Sequence, residues 1–422
     1  MDEVRIGVIG LGGRGLSMMF ALTDIAGVYV PACCDNYEPR LENAKAELEK
    51  NGKHMNIYSD YREMIEKEDL DAVYIATTWI THSKIAIDCM NSGLHAGIEV
   101  GGAASEYEVR ELIRTSEKTG KFTMMMENCC YDRKEMAVFN MVKKGLFGEI
   151  THLEGGYRHD LRDEIVLGRE NHHGRLANFK LRDGELYPTH ELGPLMELID
   201  INRGNRFLYL TSMSSKSAGL NEWIRKNKGE DYDLYKYRFG CGDVTTTMIK
   251  CARGETILLN HDCSTPRPYS RAYTVEGTNG IFEESHDDHK GWIHLDGDDG
   301  WLDFDESYYE KYAHPLWKLD ETENAKIGHG GMDVLILEAF ADAVRTGDAP
   351  IDIYDTATLM AVTYLSEQSA AMGSAPVPFP DFTDGSWISP KPYRRSKYCL
   401  REVCEDLFYY INQEIIFVKE EI

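Results

Sequence analysis

Val4-Arg5-Ile6-Gly7-Val8-Ile9-Gly10-Leu11-Gly12-Gly13-Arg14-Gly15 runs from a short apolar segment directly into a glycine-rich turn, and a helical pattern follows. The next strand-like segment, YVPACCD, ends in Asp35, 20 residues after Gly15. Each part has a mechanical reason in a dinucleotide site. The glycines allow a tight turn and close approach of a pyrophosphate, and the first turn of the helix offers free N–H groups and the positive end of its dipole. A carboxylate at position 35 accepts ribose hydroxyls and repels a 2′-phosphate, so NAD is expected rather than NADP; Arg40 is the residue that argues the other way. Glycine-rich turns without a ligand are common, but here strand, helix and acid coincide at the right spacing. Gly10, Gly12, Gly13, Arg14, Gly15 and Asp35 are therefore predicted to hold the cofactor.

Outward from this turn, VRIGVIG, YVPACCD, DAVYIATT, HAGIEV and KFTMMME are short apolar runs separated by helical patterns such as SKIAIDCMNSG and EYEVRELIRTSEKTG. That alternation predicts βαβ crossovers and a doubly wound parallel sheet over residues 1–128. The pattern then changes to long period-2 segments bounded by turn residues: THLEGGYRH, RFLYLTSMS, DVTTTMIKC, ETILLNHDC and RAYTVEGTNGIFEE. These predict an α+β domain over 129–387 built on a large, mostly antiparallel open sheet. GPLMELIDIN, MDVLILEAFADAVRTG and DTATLMAVTYLSEQSAAM read as its helices, the second closed by a Thr-Gly C-cap. Residues 388–422 form a tail with a basic Arg394-Arg395 pair and no assignable role.

A chain of 422 residues exceeds what one core organises, in keeping with two joined domains. Its 46 basic and 71 acidic residues leave a net charge of −25, which disfavours nucleic acid and anionic membranes as partners. The N-terminus has no signal-peptide pattern, and no apolar stretch approaches the roughly 20 residues needed to span a bilayer, so a cytoplasmic location is expected. The ten cysteines show no CxxC spacing; Cys33-Cys34 and Cys129-Cys130 lie in apolar, strand-like contexts and read as buried thiols. His172-His173 and His329 have no HExxH or clustered Cys/His partners, so no metal is expected.

GLGGRG followed by DAVYIATTWITHSKIAIDCMNSGLHAGIEV resembles the glucose-fructose oxidoreductase and inositol dehydrogenase superfamily over the whole first domain. The resemblance implies that Thr77, Trp79, His82 and Glu99 line the nicotinamide end of the site. Dehydrogenases of that superfamily end this strand with Glu-Lys-Pro, their lysine at the reacting carbon, where this chain has Glu99-Val100-Gly101. From residue 124 to 387, MMMENCCY, EGGYRHDLR, GELYPTHELGP, INRGNRF, STPRPYSR, KIGHGGMD, LSEQSAA and VPFPDFTDGSW resemble family 109 glycoside hydrolases, the NAD-dependent α-N-acetylgalactosaminidases.

Carried over residue by residue, this second resemblance implies a sugar pocket of Glu127, Tyr157, Arg175, Tyr187, His190 and Tyr269. Tyr187, His190 and Tyr157 would move protons; Glu127, Arg175 and Tyr269 would bind the sugar. The residue types fit that use, since polar and aromatic groups bond hydroxyls and pack on a sugar face. Ordinary structural uses stand beside it. Tyr157 and Tyr269 also read as sheet tyrosines, Arg175 as the partner of a surface acid, and His190 as a satisfied structural histidine. Glu127 ends a very apolar strand, where an unpaired carboxylate is costly, so it is expected in a pocket or a buried pair. The implied chemistry is transient oxidation of the sugar at C3, loss of the C2 proton, elimination at C1, water addition and re-reduction, with NAD unchanged at the end. A net sugar oxidoreductase and a catalytically inactive sugar sensor are the competing readings, and the broad open sheet points to a homo-oligomer.

Overall fold

The computed structural model describes residues 3–284, 290–319, 329–411 and 414–417. Its first layer is a parallel sheet of β1 (Val4–Ile9), β2 (Val28–Tyr29), β3 (Ala32–Cys34), β4 (Asn56–Tyr58), β5 (Ala72–Ile75), β6 (His95–Ile98) and β7 (Thr123–Met125). The order is β4-β3-β1-β5-β6-β7, with β2 pairing β1. Near-continuous apolar runs such as AVYI arise because helices cover both faces, and all four residues of β5 are buried. The YVPACCD segment is split into β2 and β3 around Pro31, which has no N–H to give a ladder.

The second sheet contains β8 (Ile150–Arg158), β9 (Phe207–Ser214), β10 (Thr245–Cys251), β11 (Thr256–Asp262), β12 (Thr274–Gly277), β13 (Gly280–Glu284), β14 (Gly291–Leu295), β15 (Leu302–Asp303) and β16 (Val377–Pro378). Its order is β15-β14-β13-β12-β8-β11-β10-β9-β16. Every neighbour is antiparallel except β8 and β11, which run parallel with Tyr157 opposite His261. That parallel pair lies at the centre of the sheet.

Three helices differ in extent from the sequence expectation or confirm its cap. The helix Thr189–Leu198 begins before Gly193-Pro194: Pro188 at its N-cap already holds helical φ (−72°), and Pro194 lies inside the helix, where it has no N–H to donate. The helix Met332–Thr346 ends as expected on Gly347, with φ 78° and its N–H on Ala343 O. The helix Ile353–Ala371 starts ahead of the expected segment, at an Asp352/Asp355 capping box. It packs against both β7 and β9 and so ties the two sheets into one apolar core.

All ten cysteines are buried and unpaired, but Cys129-Cys130 lies in a 3-10 turn, Asn128–Tyr131, rather than in a strand. Among the described residues no helix is long and apolar enough to cross a membrane. Of the motif KIGHGGMD, residues 326–328 lie outside the described residues, as do 412–413 and 418–422 of the tail.

Candidate active site

At the carboxyl end of β1, Gly10 takes φ 95°, and a Cβ there would come within 2.5 Å of Ala76 O. A Cβ on Gly15 would lie 1.8 Å from Gly10 O, so helix and turn approach as closely as only two glycines permit. Gly12 caps the helix Gly13–Asp24 with no side-chain hydrogen bond, and nothing lies within 4 Å of a Cβ built on Gly13. The turn thus leaves open space and unclaimed N–H groups where a pyrophosphate would sit, which is the fit a dinucleotide needs. Asp35 is buried; its Oδ2 accepts from Leu11 N at 2.7 Å and its Oδ1 from Tyr37 N at 2.9 Å. The carboxylate therefore fixes the loop. Arg40 Nη1 stands 3.6 Å from it, and Arg40 Nη2 donates to His172 O at 2.8 Å. The His172 ring lies 4.0 Å from the Tyr37 ring, tilted by 31°, so the loop that carries it reaches the wall of the glycine turn.

Arg14, expected to hold the cofactor, lines the groove and is also bound into an ion-pair cluster. Its Nε donates to Glu99 Oε1 at 2.8 Å, and Nη1 and Nη2 donate to the two oxygens of Asp333 at 2.8 and 2.9 Å. Asp333 also accepts from Asn128 Nδ2 at 2.7 Å and meets His329 Nδ1 at 2.7 Å. Burial pushes the Asp333 carboxyl up, but His329 and Arg14 outweigh it and hold it well below the usual range. This ion pair locks the cofactor turn to the helix Met332–Thr346, a tertiary role that spacing does not reveal.

Arg14, Thr77, Trp79, His82 and Glu99 share a cavity of about 360 Å³ with the glycine turn, Arg175 and Tyr187. His82 is buried with Nε2 3.0 Å from Thr77 O, and burial pulls it below the ordinary imidazole range. Thr77 Oγ1 accepts from Thr81 Oγ1 at 2.8 Å. Glu99 accepts from Tyr74 Oη in addition to Arg14. Gly101 exists for Trp79, whose ring would lie 2.4 Å from a Cβ there. Val100 is buried in the same wall.

A cluster of aromatic side chains joins this groove through Trp79 and Tyr187, whose rings are 5.4 Å apart. Tyr187 is 4.4 Å from Tyr157 and 5.2 Å from His190; Tyr157 is 5.6 Å from His190 and 6.2 Å from Tyr269. The Arg175 guanidinium lies 4.7 Å from the Tyr187 ring and 5.3 Å from the Trp79 ring, with Nε 2.7 Å from Glu164 Oε1. Burial raises both Tyr157 and Tyr187 phenols, and Arg175 partly offsets this, so each is a neutral donor at neutral pH.

His190 Nδ1 is 2.7 Å from Glu127 Oε1, which also accepts from Cys129 N at 3.0 Å. Glu127 is fully buried: burial pushes its carboxyl up, but its contacts with His190 and the Cys129 N–H win, holding it below the usual range. It therefore stands behind His190 instead of lining the sugar pocket. Gly193 makes room for it, since a Cβ there would meet Glu127 Cγ at 2.7 Å. With Nδ1 occupied, His190 has Nε2 left for chemistry.

Residues 131–389 match the glycosyl hydrolase 109 C-terminal domain, and residues 4–127 match the oxidoreductase family, NAD-binding Rossmann fold. An α-N-acetylgalactosaminidase of Shewanella oneidensis is 39% identical over 406 residues, covering 93% of this chain and 88% of that protein. A glycosyl hydrolase family 109 protein of Solibacter usitatus is 40% identical over 400 residues, covering 92% and 90%. The chain belongs to glycosyl hydrolase family 109.

Solved structures extend the likeness in fold to sugar dehydrogenases. A levoglucosan dehydrogenase in complex with NADH and levoglucosan superposes with TM-score 0.68 at 18% identity, covering 90% of this chain and 100% of that one. A myo-inositol 2-dehydrogenase of Lactobacillus plantarum gives 0.64 at 18%, with the same coverage. The groove of this family 109 chain is an NAD site. His159, which the sequence reading passed over, lies 5.1 Å from the Tyr269 ring with Nδ1 3.5 Å from Tyr157 Oη. Its position two residues after Tyr157 on a strand end, pointing to the same face, is the signal that could have found it. Tyr269 meets the pocket edge-on and also walls a neighbouring cavity with Arg271 and Trp317. Glu127, Cys129 and His190 bring three potential metal-ligand atoms within 4.8 Å. Two of them already hydrogen-bond each other, and burial keeps the Cys129 thiol protonated.

Proposed function

We propose that this protein is an NAD-dependent glycoside hydrolase acting on N-acetylgalactosaminides or related glycosides. The observation that supports the reading most is the continuity of the NAD groove, through Trp79 and Tyr187, with a cluster of two phenols and an imidazole. Bound NAD supplies the reversible oxidation of a sugar hydroxyl to a ketone, which makes the neighbouring C–H acidic. Gly12, Gly13, Asp35, Thr77 and Trp79 hold it. Tyr187, nearest the nicotinamide end, handles the proton of the sugar C3 hydroxyl. His190 Nε2 takes the C2 proton, its ring held by Glu127 through Nδ1. Tyr157 serves as a second acid and base toward the C1 substituent. Arg175 lies against both phenols and stabilises negative charge developing on the sugar oxygens. Val100 puts no lysine at the position used by the superfamily's dehydrogenases, which favours elimination over net oxidation.

Two lines of the same reading concern the molecule as a whole. The chain works in the cytoplasm on a small carbohydrate, and the open face of the second sheet, with Tyr209, Met213, Met248 and Trp292 exposed, pairs copies into a homo-oligomer. Its domains are 1–128 for the cofactor and 129–387 for the sugar, with 388–422 as a tail.

Hydrolysis of an aryl α-N-acetylgalactosaminide in deuterated water tests the chemistry. Elimination requires solvent deuterium at C2 of the released sugar. Product without that label overturns the route, and net accumulation of reduced cofactor with a ketosugar would favour the oxidoreductase reading instead.

A further inference from the structure

Next to the aromatic cluster lies a second cavity, of about 450 Å³, within the size range of small-molecule sites. Tyr269, Phe282 and Trp317 give it aromatic walls, and Glu135, Arg271 and Tyr273 its polar ones. The Trp317 ring is held by its Nε1, which donates to Tyr131 O at 3.1 Å. Two polar atoms of the wall are left over. Glu135 Oε2 and Tyr273 Oη are buried without a hydrogen-bond partner among the described residues, on side chains that are 4% and 3% exposed. Buried polar groups of this kind call for a partner that the chain itself does not supply. A carboxyl oxygen and a phenol kept neutral by burial both pair with hydroxyls, which donate as well as accept. Hydroxyls beside aromatic walls are the features of a sugar ring.

Charge narrows the class of sugar. Arg271 Nε donates to Glu135 Oε1 at 2.7 Å, and its Nη2 is 2.9 Å from Asp132 Oδ2. Lys134 Nζ and Arg133 Nη2 both face Asp305, at 3.3 and 3.8 Å. Each lysine and arginine that lines the cavity thus has an acid of its own, and none is left to hold a carboxylate, sulfate or phosphate. Tyr269 is common to this cavity and the aromatic cluster: its ring is 6.2 Å from Tyr157 and 5.1 Å from His159. Tyr157 is the group assigned to the C1 substituent, so a substituent leaving C1 past Tyr157 meets Tyr269 next. We propose that the cavity walled by Tyr269, Tyr273 and Trp317 is the subsite for the group linked to C1, and that it takes a neutral sugar residue. The substrates are then oligosaccharides, with the cleaved sugar against NAD and the sugar it is attached to against Trp317.

This assignment rests on the glycosidase reading of the neighbouring site, so the test has one arm that needs no turnover. Tyr273→Phe removes a single oxygen that bonds nothing in the described chain, and the variant should fold and hold NAD as the wild type does. For the wild type, kcat/KM on disaccharides of N-acetylgalactosamine α-linked to glucose or galactose should exceed that on the methyl α-glycoside for at least one of the two. Tyr273→Phe and Glu135→Gln should each lower the preferred disaccharide's value about 3- to 10-fold, the net worth of one hydrogen bond, and leave the methyl glycoside within about twofold. No fall, or an equal fall on the methyl glycoside, overturns the subsite. Saturation-transfer NMR of the NAD-loaded protein with free glucose, galactose and glucuronate reads the cavity alone. A neutral hexose should bind, and bind more weakly to Tyr273→Phe but not to His190→Ala; no hexose signal, or stronger binding of glucuronate, overturns the proposal. If the wild type cleaves no glycoside, the functional reading fails, and the NMR titration still decides whether the cavity holds a neutral sugar.

Discussion

Between Val4 and Asp35 the cofactor turn is built almost wholly from backbone and from residues close in sequence, whereas the aromatic pocket gathers Glu127, Tyr157, Arg175, Tyr187, His190 and Tyr269 from five separate segments. In the turn, glycines keep space empty and N–H groups free, and the helix dipole needs no side chain to act. In the pocket, side chains carry the chemistry, and each depends on another behind it: His190 on Glu127, Glu127 on the room at Gly193, Arg175 on Glu164. A backbone site tolerates change in its neighbours, while a side-chain site is sensitive to residues that never touch the sugar.

The largest expected effects fall in the pocket. His190→Ala and Tyr187→Phe should each reduce turnover on the order of 10²–10⁴-fold, the usual worth of a positioned acid or base, while leaving NAD bound. Turnover on an aryl glycoside and nicotinamide released on denaturation measure the two halves together. Near-normal rates in both variants would move the chemistry to Tyr157 and His159; loss of NAD from either would dissolve the distinction between the two regions.

Arg14 crosses the boundary, so its removal sharpens the comparison. Arg14→Ala strips buried Asp333 of a bidentate partner, although Asn128 and His329 remain, and should cost about 2–3 kcal/mol in chemical denaturation. NAD affinity should fall less than the stability does. A variant as stable as the wild type but unable to hold NAD would make Arg14 a cofactor ligand first and a structural partner second.

Gly193→Ala tests dependence at a distance. Its methyl group must displace Glu127 or Cys130 and should cost about 1–3 kcal/mol through overpacking, with a fall in kcat larger than the change in KM. The same substitution at Gly13, where nothing lies within 4 Å, should leave stability nearly unchanged and act on NAD binding alone. The smallest effect is expected from chelation. EDTA should not change turnover, and a loss restored by zinc or manganese would show that Glu127, Cys129 and His190 hold an ion.

The sequence alone carried the two sheet types, the NAD turn and the family, because these are written in short-range features: period-2 and period-3.6 patterns, a glycine spacing and runs of matching residues. It also delivered most of the pocket by resemblance. What it could not carry was which partner each polar group would take. Arg14 was read as a cofactor residue because it stands in the turn; that it also pairs with Asp333, far along the chain, only the fold decides. Glu127 was placed at the sugar by resemblance, and its apolar strand called for a pocket or a buried pair; the helix that begins at Thr189 supplies the partner, His190. His159 had no distinctive spacing, and gained meaning only when the fold set it beside Tyr157 and Tyr269. Local pattern fixes where a side chain starts and which face it leaves from, but burial of charge is settled by whatever opposite charge or donor the completed fold puts within about 3 Å.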